Sequence, residues 1–72
     1  MIDRKRYFEL CQKNSVVPNS VNVIYQGGEY YPQALKIWFN SQGKTMNTAV
    51  LIDVNLNSIT NCSLEDIEEL TN

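Results

Sequence analysis

Histidine is absent from this chain. That removes the side chain most used as general base, as activator of serine and cysteine nucleophiles, and as zinc ligand. Cysteine is scarce: Cys11 and Cys62 stand fifty-one positions apart with no C-x-x-C pair. The four ligands of a structural zinc site are therefore not in view. Two thiols are also far from the dense disulfide framework of a small secreted scaffold, and the opening residues do not read as a secretory leader. Both thiols are expected reduced, and the protein cytoplasmic. Only three glycines occur, and Gly27-Gly28 stands alone, without a G-x-G-x-x-G or a P-loop around it. The longest apolar run, Ala49 to Ile52, is far short of the roughly 20 residues a membrane-spanning helix needs, so no membrane is expected. No cofactor, no metal and no enzymatic activity are expected from this set.

What is present suits one small folded unit. Seventy-two residues, 43% hydrophobic and 19% charged, make a single domain spanning 1–72 with one core. The net charge of −2 hides an uneven layout. Arg4, Lys5 and Arg6 lie near one end, and Glu65, Asp66, Glu68 and Glu69 near the other. The three cations fall short of the roughly six to ten phosphate contacts that make nucleic-acid binding strong and salt-dependent. The acids read as a solvated face that favours a helix N-terminus.

From Asp3 to Asn14, Tyr7, Leu10 and Cys11 recur at spacings of three and four, with Phe8 widening the stripe. This predicts an amphipathic helix with Asp3 as N-cap. After Pro18-Asn19-Ser20 the period changes to two. Val21, Val23 and Tyr25 predict a first strand, and Gly27-Gly28 a tight hairpin into a second strand from Glu29 to Asn40. Strict alternation there predicts a core face with Tyr31, Leu35, Ile37 and Phe39. The opposite face then carries Tyr30, Pro32, Ala34, Lys36 and Trp38. A third strand, Thr45 to Val54, is apolar on both faces and predicts a central place in the sheet. Ser58 to Cys62 predicts a short fourth strand. Ser63-Leu64-Glu65-Asp66 has the form of a capping box, which predicts a final helical turn with Leu64, Ile67 and Leu70 inward. Asp53, just before a turn, predicts an Asx-type bond near Asn55 rather than an acid–base role.

The expected fold class is α+β: a small antiparallel β meander, either an SH3-like barrel or a four-stranded sheet, with an N-terminal helix and a short C-terminal helical turn. Leu35, Ile37, Phe39, Ala49, Leu51 and Ile59 are expected to pack together. Trp38 then has two places available. It packs beneath the helix, or it shares an exposed strip with Tyr30 and Lys36, and those three are the candidate binding residues.

Three stretches, "EYYP", "AVLIDVNLNSI" and "LEDIEEL", carry a likeness over residues 17–70. In them the chain resembles small uncharacterised proteins encoded by phages and prophages of Gram-positive bacteria. The resemblance implies a mobile-element accessory protein and assigns no residue a role. Two functions follow as expectations. One is a non-enzymatic module that binds a host or phage protein, with a homodimer also open. The other is a nucleic-acid-binding small β-barrel using Tyr30, Lys36 and Trp38 beside Arg4, Lys5 and Arg6.

Overall fold

Asp3 starts the first element as its charge and short side chain predict. In the computed structural model, which describes residues 2–70, its Oδ1 accepts the Arg6 backbone N–H at 2.7 Å, opening helix α1 over Arg4–Val16. An N-cap of this kind supplies one of the donors that the first helical turn leaves unpaired. Tyr7, Leu10 and Asn14 are the buried residues of α1, and Phe8, expected to widen the stripe, stays 51% exposed. The chain continues through β1 (Val23–Tyr25), β2 (Gly28–Phe39), β3 (Thr45–Asp53), β4 (Ile59–Ser63), a 3-10 turn at Leu64–Asp66 and β5 (Ile67–Glu69).

The first hairpin turns one residue earlier than expected. Gln26 and Gly27 both have positive φ, 51° and 78°, and Tyr25 faces Gly28 across the ladder. This is the two-residue turn whose twist matches that of its strands, and it needs left-handed backbone at both positions. Gly28 therefore opens β2 rather than forming the turn.

Among the described residues, five strands form one antiparallel sheet in the order β4-β3-β2-β1-β5. The fold class is α+β as expected, but the sheet is open and has five strands rather than four. The extra strand is β5. Where the capping-box pattern predicted a helical turn, the Ser63 hydroxyl accepts from the Glu65 backbone N–H at 3.4 Å. The helix then stops after one 3-10 turn, and Ile67 pairs with Tyr25. Leu64 and Ile67 are buried as predicted, whereas Leu70 is 37% exposed. Pairing with β1, some forty residues back, overrides a weak local helix preference.

β2 departs from strict alternation at one place. Its register with β3 shifts between Pro32 and Ala34, so Gln33 is the extra residue of a β-bulge. A bulge reverses which residues face which side beyond it. Pro32 pairs with Leu51 and Leu35 pairs with Ala49, and Ala49 and Leu51 are fully buried in the core. Tyr30 and Pro32 thus share the inner face with Leu35, while Tyr31 shares the outer face with Ala34, Lys36 and Trp38. The expected faces of Tyr30, Tyr31 and Pro32 are corrected by this one residue.

The core lies between the inner face and α1. Tyr7 and Leu10 of the helix meet Val23, Ala49, Leu51 and Ile67 of the sheet, closed at one end by Ile2 and Leu64. Leu35 packs against this cluster half-buried. Ile37, Phe39 and Ile59, expected in the core, are 53%, 70% and 66% exposed. Ile59 pairs with Ile52 and so points outward. For Ile37 and Phe39 the reason is length. A 13-residue helix spans about 20 Å, and a 12-residue strand about 40 Å. The far half of the β2–β3 hairpin therefore projects past the helix, and the domain measures 36 × 21 × 20 Å. Phe39→Ala should accordingly cost less than about 1 kcal/mol in urea denaturation, the range of exposed positions, rather than the roughly 3–5 kcal/mol of a buried aromatic.

Candidate functional site

The bulge is built by the helix. An inserted residue leaves ladder groups without partners, and the Tyr7 hydroxyl donates to the Val50 carbonyl at 3.0 Å. Two turns along α1, Asn14 donates through Nδ2 to the Pro32 carbonyl at 3.1 Å and accepts the Ser20 backbone N–H at 3.2 Å. One face of α1 thus bonds both strands beside the bulge from beneath, β3 through Tyr7 and β2 through Asn14.

The outer face above the bulge is the candidate site. By register, Tyr31 lies beside Ile52, Ala34 beside Val50, Lys36 beside Thr48 and Trp38 beside Met46. Trp38 is 46% exposed, and its indole Nε1 donates to Thr48 Oγ1 at 2.9 Å. That bond crosses to the neighbouring strand and holds the ring against the sheet. Tyr31, Met46 and Ile52 are half-buried, and Val50 is buried. Lys36 is exposed and makes no ion pair among the described residues. The surface is therefore an apolar floor with two rings and one free cation.

Of the three candidate residues, Lys36 and Trp38 are brought together and Tyr30 is not. Tyr30 lies on the inner face, its ring edge-on to Tyr25 with centroids 5.9 Å apart. Tyr31 takes its place outside. Nor does Trp38 lie beneath α1, because the helix covers the other face. Alternation alone missed Tyr31, yet a signal was present: a proline inside a strand is at home at a bulge.

The remaining groups singled out in the sequence have structural partners. Asp53 Oδ1 accepts the backbone N–H groups of Asn55 and Asn57 at 2.8 and 3.2 Å, and Oδ2 accepts the Ser58 hydroxyl at 2.7 Å. The Ser58 bond first, then the backbone donors, holds this carboxyl below its ordinary range. Arg6 grips the Glu69 carboxylate through both Nε and Nη2, tying α1 to β5 and splitting the Arg4-Lys5-Arg6 triplet. The same pair holds the Glu69 carboxyl below its ordinary range. Among the described residues no cluster of three or more Cys, Asp or Glu side chains is placed to hold a metal ion, and no helix is long and apolar enough to cross a membrane.

Comparison with protein-family models, with curated proteins and with solved structures gave no match. The site's chemistry therefore rests on its own residues.

Cys11 is half-buried and Cys62 buried, and the two are not bonded to each other. Burial first, with Asp66 adding to it, pushes the Cys62 thiol from near 9.0 up to about 11. Burial also raises Tyr7 well above its ordinary range. Both groups fold neutral. Their contribution is complete below the unfolded values, roughly pH 8.5 for a thiol and 10 for a phenol. It is lost as pH rises past them, because the unfolded chain then releases protons that the folded chain holds. The urea midpoint should therefore stay level from pH 7 to 8 and fall between pH 9 and 11, with Cys62→Ala flattening the first part of the fall.

Proposed function

We propose that this chain is a non-enzymatic protein-interaction module, a phage or mobile-element accessory protein that docks a host or phage protein on the outer face around Tyr31, Lys36 and Trp38. The observation that carries the reading is Trp38: a half-exposed ring, anchored by its own N–H to Thr48, on an apolar floor. Pre-set tryptophans with a desolvated surround are the residues that dominate protein–protein affinity. Lys36 beside it supplies one rim charge, suited to an acidic group on the partner. The fold part of the reading is an SH3-like barrel left incompletely closed. A bulged second strand and a single tight turn between the last two strands suit such a meander.

A nucleic-acid platform is the second reading, favoured by Trp38 beside Lys36. Arg6, however, is engaged by Glu69, and the chain is net negative. The test compares wild type with Trp38→Ala in capture from host lysate, alongside fluorescence anisotropy with single- and double-stranded oligonucleotides at physiological salt. Capture lost in the variant, with no oligonucleotide binding by the wild type, supports the first reading.

A further inference from the structure

We propose that two copies of this chain join along β4, antiparallel about a twofold axis at Asn61, extending the sheet from five strands to ten. β4 is an edge: among the described residues it pairs with β3 on one side and with no strand on the other. An open edge presents a row of unpaired N–H and C=O groups, and natural edges are blunted by charge, proline, a bulge or a covering segment. β4 has none of the first three. Its sequence, Ile-Thr-Asn-Cys-Ser, holds no charge and no proline, and its register with β3 runs without a shift from Ile59 to Ser63. Ile59, Asn61 and Ser63 are exposed.

The other edge shows the contrast that selects the occupant. β5 is three residues long, Ile67–Glu69, two of them acids, and Glu69 is held by Arg6. Pairing β5 with a second β5 sets like charges together. Pairing β4 with a second copy's β5 gives Glu68 no cation, since β4 has none. β4 against β4 opposes no charge at all, and an isologous twofold contact consumes both β4 edges and closes at two copies, leaving outermost only the short acidic β5 strands.

The register follows from parity. With Asn61 opposite Asn61 of the second copy, Ile59 faces the second copy's Ser63 and Thr60 faces its Cys62. All five residues pair, and inner-facing side chains stay with inner-facing ones. A slip by one residue would set inner against outer. Val54, Leu56 and Ile59, which are 41%, 58% and 66% exposed, lie at or near each end of the seam and offer apolar cover there. The seam is two strands from Lys36 and Trp38, so it leaves the proposed docking face open and does not depend on it.

Sedimentation equilibrium of the full chain tests this. The wild type should reach a mass twice the 8.3 kDa of one chain as concentration rises. Asn61→Lys and Asn61→Glu, each placing like charges opposite one another, should stay single while keeping the wild-type circular dichroism. An equimolar mixture of the two should regain the double mass, because unlike charges then meet at the axis. Amide exchange of the wild type gives a reading that needs no variant: β4 amides should be more protected in concentrated than in dilute protein. A single-chain mass at every concentration, an assembly larger than two, a dimer indifferent to both variants, or a mixture that stays single would each overturn the proposal. If both variants misfold, β4 protection independent of concentration overturns it.

Discussion

Tyr7→Ala should be the most destabilising single truncation in this domain, at about 3–5 kcal/mol. Tyr7 is fully buried in the core, and truncating a large buried ring costs about 3–5 kcal/mol. A chain of 72 residues has about 4–11 kcal/mol in total at the usual stability per residue, so the loss takes a large share or all of it. Tyr7→Phe separates the hydroxyl from the ring. It keeps the packing but leaves the Val50 carbonyl opposite the bulge without the phenol, at about 1–3 kcal/mol. Urea denaturation of both variants checks the ordering. If Tyr7→Phe is as stable as wild type, water satisfies the bulge and the phenol is not what holds it.

Trp38→Ala should have the opposite profile, with the fold intact and binding lost. The ring is 46% exposed on the face away from the core, and its removal breaks one side-chain hydrogen bond to Thr48. Stability should therefore change by no more than about 1 kcal/mol. A central tryptophan anchor, by contrast, is worth about 2–4 kcal/mol of affinity, a loss of roughly 30- to 700-fold. Lys36→Glu should slow association with a protein partner and have little effect on dissociation, because rim charges act mainly on the encounter. Isothermal titration and stopped-flow measurements with the captured partner read both effects. Micromolar oligonucleotide binding that falls steeply with salt and is lost in Trp38→Ala would overturn the protein-partner reading in favour of nucleic acid.

Much of this domain follows from short-range pattern. Asp3 caps α1 because the cap needs only its own side chain and an N–H three residues on. Asp53 closes its turn for the same reason, with partners two to five residues away. Tyr7, Leu10, Ala49 and Leu51 are core residues whatever the topology, since a helical stripe and a central apolar strand have nowhere else to go. The identity of the candidate face was a different matter. Alternation counts residues, and one bulged residue, Gln33, exchanges Tyr30 for Tyr31 on the outer surface. That bulge is held by Tyr7 and Asn14 from a helix some twenty residues earlier in the chain. β5 likewise exists only because β1 offers it an edge, against the helix-start signal of its own residues. The exposure of Ile37 and Phe39 was set by the helix being about half the length of the strand it covers. Local chemistry settled the Asp3 cap and the Asp53 turn, where every partner lies within a few residues, and the apolar pattern alone marked the centre of the core. Strand count, facing and exposure belonged to the tertiary structure, because each depends on where distant segments end.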